Sequence, residues 1–325
     1  MILGLVEHDR GRPNDLSFQM LAFGRRLAAG RGEPLEAVLI GTEAEPIAGA
    51  LGAHGVSKVH LIRHDELTDY APEAWAEAIV QLIASTGATV VMAAGSDRGN
   101  EVMAHVAART EMPMASNCVA ADPGDPFQVT RQRWGGTLLE EAVLRAPVTL
   151  ITVAPHAVQA DSSPATPTEV AVAPFDPNLS EQEFRVRVTD RVEKPAGQTS
   201  LSEARVVVGG GRGVGSAAGF GALEELARLL GGTVGCSRAV TSAGWRPHTD
   251  QIGQTGVRIA PDLYIAFGIS GATQHIVGCK GAKHILVVNT DREAPILARA
   301  DYAVIGDVGE VIPALNAEIR KATGG

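Results

Sequence analysis

The sequence predicts an α/β protein made of two doubly wound parallel-sheet domains. Three observations predict it. Short, β-prone apolar runs alternate with helical patterns; the alternation stops across a stretch rich in Pro, Ser and Thr; and it resumes just beyond residue 200 at a glycine-rich turn. Strands that are short and continuously apolar, with helices between them, belong to a parallel sheet covered on both faces.

In the first half, strands are read at residues 2–6, 37–40, 58–62, 89–93 and 148–153. Leu16, Met20, Phe23 and Leu27 recur at helical spacing behind Asn14 and Asp15, which suit a helix cap. Trp75, Ile79, Leu82 and Ile83 form a second helical face behind Pro72, a residue tolerated in a first helical turn. From about Pro155 to Ser202 the rhythm breaks at Pro155, Pro164, Pro167, Pro174, Pro177 and Pro195, as in an extended arm. Within that arm residues 184–188 alternate Phe-Arg-Val-Arg-Val and are expected to add an edge strand. The second half repeats the pattern, with strands at 205–208, 233–236, 263–267, 284–288 and 303–305. One helix carries Phe220, Leu223, Leu226 and Leu230 up to Gly231-Gly232, and a last one carries Ile312, Leu315 and Ile319. The expected domains are therefore 1–200, with the arm at about 155–200, and 201–325.

Composition narrows the function classes. Hydrophobic residues make up 45% and charged residues 20%, the balance of a folded globular chain. The net charge is -9 and no basic cluster occurs, which argues against a nucleic-acid partner. Cys118, Cys236 and Cys279 are scattered and odd in number, so neither a disulfide framework nor a zinc knuckle is expected. The histidines show no metal-ligand spacing, and no metal is expected. The N-terminus lacks a basic region ahead of an apolar one, and no apolar run approaches the roughly 18 residues of a membrane helix. The expectation is a cytoplasmic protein, or a mitochondrial-matrix one from which a transit peptide was removed, without membrane insertion.

The chemistry gathers in the second half. Residues 208–216 read Val-Gly-Gly-Gly-Arg-Gly-Val-Gly-Ser, a glycine-rich turn between a strand and a helix that suits phosphate binding or a plain tight turn. An NAD site of this Rossmann-like type needs an acidic residue about 20 positions on to hold the ribose. Nothing acidic lies between Glu225 and Asp250, and Arg238 stands where that clamp belongs. Gln251-Ile252-Gly253-Gln254-Thr255-Gly256 offers two amides and a hydroxyl on a flexible turn, suited to a heteroaromatic edge or to solvent. The strand at 263–267 runs into Gly268-Ile269-Ser270-Gly271-Ala272-Thr273-Gln274-His275, where Ser270 can cap a helix or meet a phosphate oxygen. A strand's carboxyl end is where open α/β sheets bind ligands. In the first half, residues 95–100 form a polar loop after a strand that could touch phosphate and is read first as a structural turn.

These pieces, with Ser237-Arg238, residues 260–266, Asn289, Asp291, residues 293–296 and Ala300-Asp301-Tyr302 in order, resemble the FAD-binding domain of the electron transfer flavoprotein alpha subunit. The first half resembles that family more loosely, at Glu7-His8 and residues 130–136. The resemblance implies one FAD, an obligate heterodimer with a beta subunit that the arm contacts, a flavin dehydrogenase as electron donor and a membrane quinone oxidoreductase or another acceptor. It implies an electron carrier with no catalytic residue of its own. It also implies roles: Arg238 over the flavin ring; Thr255 near N5 with Gln254 beside it; His275 on the O2 side of the pyrimidine. Arg212, Ser237, Ser270, Gly271, Ala272, Thr273 and Gln274 surround the ribityl chain and pyrophosphate, with Gly213 and Gly253 among the binding positions. Asn289 and Asp307 lie near the ADP portion. Val257, Ser242 and Thr273 depart from the family's usual lysine, aspartate and isoleucine. Two alternatives stay open: an electron-bifurcating NADH-dependent complex in which the beta subunit carries a second flavin, and an NAD-dependent enzyme on the same fold.

Overall fold

The computed structural model describes residues 1–158, 169–191 and 199–323. The chain forms two compact units, Met1–Val192 and Glu193–Gly325.

The first unit runs in order through β1 (Ile2–Leu5), a short hairpin of β2 (His8–Asp9) and β3 (Arg12–Pro13), α1 (Asp15–Arg31), β4 (Leu35–Ile40), β5 (Lys58–Ile62), α2 (Pro72–Thr86), β6 (Val90–Ala94) and α3 (Asp97–Thr110). It continues with β7 (Met114–Asp122), β8 (Phe127–Arg133), β9 (Leu138–Leu144), β10 (Thr149–Val153) and β11 (Ala171–Phe175). The caps follow the sequence signals. Asn14 Oδ1 accepts from Leu16 N at 2.8 Å at the start of α1, and Pro72 opens α2. The strands assemble into a nine-stranded sheet in the order β11-β5-β4-β1-β6-β10-β7-β8-β9. It is parallel from β11 through β7, and the last two strands run antiparallel. Every residue of β1, β4, β6 and β10 is buried. Alternate residues feed opposite cores: Ile2, Ala37, Leu39 and Val90 pack on the α1 side, Leu3, Val38, Ile40 and Val91 on the side of α2 and α3.

Two expectations are corrected. Residues 184–188 form no strand. Ser180 and Glu183 make a capping box that winds Glu181–Phe184 into a 3-10 turn, and Phe184 is buried against the α2 core while Val186 is exposed. The alternation there reflects one anchored ring with charged neighbours. The edge strand is β11 instead, parallel to β5. The other correction is the β7–β9 meander, unseen because its strands mix apolar and polar residues, are largely half-exposed or exposed and carry no buried run. The described part of the arm lies along its own unit, with Arg191 bridging Asp9 at 2.7 Å and also Asp69. Residues 159–168 and 192–198 of the expected arm lie outside the described residues.

The second unit runs β12 (Val206–Gly210), α4 (Phe220–Leu229), β13 (Thr233–Cys236), α5 (Arg238–Ser242), β14 (Leu263–Phe267), α6 (Thr273–Cys279), β15 (His284–Asn289), β16 (Tyr302–Ile305) and α7 (Val308–Thr323). Its five strands are all parallel, in the order β13-β12-β14-β15-β16. One face packs on Phe220, Leu223, Leu226 and Ile312 of α4 and α7. The other face packs on Leu201, Ile252, Ile259 and Ile296.

In the first unit Ser96 joins the ends of β1 and β6. Its hydroxyl accepts from Gly99 N at 2.8 Å, capping α3, and donates to Glu7 Oε1 at 2.6 Å. Burial pushes the Glu7 carboxyl above its ordinary range, and the bond from Ser96 and the Arg98 charge oppose that rise. Ser96→Ala removes a cap and orphans a buried carboxyl. The expected loss is about 2 kcal/mol of stability in urea unfolding of the full chain, and a loss near zero would show that neither contact holds the sheet.

Candidate cofactor site

The strand order of the second unit creates a switch point. The chain leaves β12 for β13 on one side and later returns to β14 on the other, so the loops after β12 and β14 diverge over the sheet's carboxyl edge. They meet backbone to backbone. Gly211 N donates to Phe267 O at 2.8 Å and Gly213 N to Gly268 O at 3.2 Å. A Cβ on Gly213 would stand 2.7 Å from Gly268 Cα, and Gly268 itself has φ +60. Side chains are excluded there by contact, so the glycines are needed for this closure before any ligand is considered. The run 209–215 therefore divides. Gly209 and Gly210 are strand residues, Gly209 lying against Tyr264 and Gly210 against Phe220; Gly211 and Gly213 abut the β14 loop; Gly215, at φ +87, faces open space.

Around this seam lie most of the residues singled out from sequence. Ser237 N donates to Gly210 O at 3.0 Å and precedes α5, whose first residue, Arg238, is exposed. Neither Arg238 nor Arg212 makes an ion pair among the described residues. The turn 251–257 folds back on itself, with Val257 N on Gln251 O at 2.7 Å and Gly253 N on Val257 O at 3.2 Å. It is tied to α6 by Gln254 N on Gln274 O at 2.8 Å; a Cβ on Gly278 would stand 2.4 Å from Gly253 Cα, and Gly253 itself has φ +153. Gln254 and Thr255 are exposed on this turn. Beneath them Gln251, buried, bonds Thr241 Oγ1 at 2.8 Å and Thr255 Oγ1 at 3.0 Å. Gln251 holds the turn and was not among the expected site residues; its amide sits where a solvated loop and a clamp look alike in sequence.

After β14, Ser270 does not cap α6. The cap position is Ala272, without a side-chain bond, and Ser270 O accepts from Ile296 N at 3.1 Å. Ser270, Ala272, Thr273 and Gln274 are exposed, whereas Gly271 is buried at φ +82 against Ile296. His275 is buried. Its Nε2 lies 2.8 Å from the hydroxyl of Tyr264, and its Nδ1 has no hydrogen-bond partner among the described residues. Burial pushes the imidazole pKa down to about 4; the Ile252 carbonyl favours the charged form slightly yet completes no hydrogen bond to Nδ1. Farther along the edge, Asn289 is buried with Nδ2 on Ile269 O at 2.9 Å and Oδ1 on Asp291 N at 3.1 Å. Asp307 Oδ1 accepts from Gly309 N at 2.6 Å at the start of α7. Asn289 and Asp307 thus shape the neighbouring loops with their own polar atoms.

The donor set fits an anionic cofactor with a heteroaromatic ring. Two exposed guanidiniums stand beside an edge of glycine backbone, and a buried imidazole nitrogen lacks an acceptor. No cluster of three or more metal-ligating side chains occurs among the described residues. No helix among them is long and apolar enough to cross a membrane.

Comparisons with known proteins agree on both units. Residues 2–178 match the electron transfer flavoprotein domain and residues 200–280 the electron transfer flavoprotein FAD-binding domain. The electron transfer flavoprotein alpha subunit of Mycobacterium leprae is 35% identical over 324 residues, covering 99% of either chain. That of Bacillus subtilis is 34% identical over 321 residues, 98% of this chain and 97% of its own. The FixB protein of Bradyrhizobium diazoefficiens is 33% identical over 331 residues, 97% of this chain and 87% of its own.

The buried histidine makes the second unit acid-sensitive. In the unfolded chain His275 takes a proton near its ordinary value of 6.5, and in the folded chain only at about 4, so folding stability is full above pH 6.5 and falls as the pH drops toward 4. The expected loss is roughly 3 kcal/mol across that window. Urea unfolding of the full chain against pH reads it, and His275→Gln should flatten this part of the slope; an unchanged slope would place the imidazole in contact with water.

Proposed function

The chain belongs to the family of electron transfer flavoprotein alpha subunits, and from that footing we propose how its second unit holds FAD and passes electrons on. The unit is an FAD-binding domain, and bound FAD supplies the one-electron redox chemistry. The observation that carries the residue-level reading is the buried, unpartnered Nδ1 of His275 at the carboxyl edge of the sheet. A buried polar atom without a partner costs about 1–3 kcal/mol, and an acceptor on a bound ring removes that cost.

In this reading His275 faces the O2 side of the flavin pyrimidine. Arg238, exposed at the start of α5 and without an ion pair among the described residues, supplies the nearby cation. Both favour negative charge arriving on that side of the ring, so both raise its affinity for the first electron. Thr255, buttressed by Gln251, and Gln254 lie toward N5. Arg212, Gly213, Ser237, Gly253, Ser270, Gly271, Ala272, Thr273 and Gln274 line the ribityl chain and pyrophosphate. Asn289 and Asp307 act on the ADP end through the loops they hold. The absent acidic clamp beyond β13 weighs against an NAD enzyme on this fold.

The family is one of electron carriers that pair with a beta subunit. For this chain we place the beta subunit against the β8–β9 hairpin, which leaves Trp134 76% and Leu139 67% exposed beside Leu138 and Val143. Exposed apolar surface of this kind on an ordered hairpin marks an interaction face. The arm's exposed Val172 lies on β11 at the opposite end of the sheet, apart from this face. The proposed donor is a flavin dehydrogenase and the proposed acceptor a quinone oxidoreductase. The buried free cysteines and the bacterial relatives favour the cytoplasm.

Three measurements check this reading. Denaturing the purified alpha–beta complex should release one FAD per alpha chain; release of NAD, or of no flavin, would overturn the assignment. The chain expressed alone should aggregate or lose flavin, and a monodisperse FAD-loaded monomer would remove the obligate partner. Arg238→Ala should weaken the first-electron equilibrium by about 2 kcal/mol and loosen FAD, with His275→Ala doing less because a neutral imidazole offers only a dipole. Redox titrations with unchanged first-electron potentials would assign both residues to packing.

A further inference from the structure

Tyr264 on β14 is fully buried, and its phenol lies over Gly209 of β12, where a Cβ would collide with the hydroxyl oxygen. Gly209 pairs with Ala266 in the β12–β14 ladder, so the missing side chain is what gives the ring its place between the strands. The Tyr264 hydroxyl has one hydrogen-bond partner among the described residues, His275 Nε2 at 2.8 Å. That bond can run in two directions. If Nε2 carried the proton it would donate to the phenol oxygen, and the phenol's own O–H would be left buried without an acceptor. If the phenol donates, Nε2 accepts and the hydroxyl is satisfied. Burial holds the phenol protonated and the imidazole neutral. A neutral imidazole whose Nε2 accepts has its proton on Nδ1, and Nδ1 is the atom left buried without a partner.

We propose that Tyr264 is a positioning residue: its hydroxyl fixes His275 as the neutral Nδ1–H tautomer, so that bound FAD meets a hydrogen-bond donor and not a lone pair. The tautomer follows from this chain's own geometry, and its recipient rests on the FAD reading above. Gly209 belongs to the same device, because it makes room for the phenol. A glycine in a run that reads as a phosphate loop thereby serves the ring end of the site.

The test uses selectively 15N-histidine-labelled full-length chain and, separately, the FAD-loaded alpha–beta complex. In the flavin-free chain near pH 7 the His275 nitrogen shifts should report protonated Nδ1 and bare Nε2. Tyr264→Phe, which keeps the ring and removes only the hydroxyl, should move His275 to a mixture with a clear Nε2–H share. In the complex the same variant should disfavour the first electron by up to tenfold, about 59 mV for a one-electron step. It should cause no further change in a His275→Gln background. Protonated Nε2 in the wild type, or a Tyr264→Phe variant with unchanged tautomer and potential, would overturn the proposal. If the variant fails to fold, the wild-type nitrogen shifts alone decide. A complex that carries no FAD would overturn the flavin reading while leaving the tautomer result standing.

Discussion

The second unit depends on a close approach of bare backbone. At the switch point Gly211 and Gly213 lie against Gly268, and the loops after β12 and β14 are joined by peptide hydrogen bonds of 2.8 and 3.2 Å. Any Cβ in that seam would force the two loops apart and with them α6 and the turn at 251–257. Gly253 and Gly278 repeat the arrangement one layer away. The site is built outward from these contacts: Arg238, Thr255 and His275 sit on elements whose relative placement the glycines set.

Polar groups in the unit fall into two sets. One set is satisfied internally and gives shape. Gln251 ties Thr241 to Thr255, Asn289 ties the end of β15 to the β14 loop, and Asp307 starts α7. The other set is left open. Arg212 and Arg238 make no ion pair among the described residues, and one nitrogen of a buried histidine has no partner. Among the described residues of this unit the buried side-chain polar atoms without a partner are His275 Nδ1 and Asn316 Oδ1; Asn316 lies in the α4–α7 contact, whereas His275 lies at the sheet's carboxyl edge, where a ligand acceptor has a place. Guanidiniums without an ion pair among the described residues suit an anionic ligand, and the burial that keeps the imidazole neutral would make its proposed contact with the ring a dipolar one.

The first unit carries the same winding, and its corresponding crevice, a cavity of about 490 Å³ lined in part by His8, Asp9, Asp69, Arg98 and Arg191, pairs its polar groups with one another. Glu7 is held by Ser96, His8 Nε2 donates to Ile40 O at 2.7 Å, and Arg191 returns from the arm to Asp9 and Asp69. Most of its exposed large apolar side chains, Trp134, Leu138, Leu139 and Val143, lie on the β8–β9 hairpin, at the far end of the sheet from β11. One α/β design thus supports two tasks, a cofactor cradle where the edge is left polar and open, and a proposed partner surface where the sheet is extended by antiparallel strands.

The sequence by itself determined the doubly wound class, because continuous apolar strands separated by capped helices can bury both faces in no other simple way. It also showed the order of the cofactor-domain motifs, since each is local: a strand, a glycine turn and a few polar residues adjacent in the chain. The meander β7–β9 escaped notice because half-exposed strands carry little buried pattern, and the Phe184 alternation misled because one buried ring among charges mimics a strand. Only the tertiary structure decided the roles inside the glycine run, assigning Gly209 to Tyr264 and Gly211 and Gly213 to Gly268. It alone paired Tyr264 with His275, and Gln251 with Thr241 and Thr255. Those assignments depend on which atoms meet across neighbouring strands and loops, and hydrogen-bond satisfaction in a buried space is a property of that meeting, not of any residue's place in the chain.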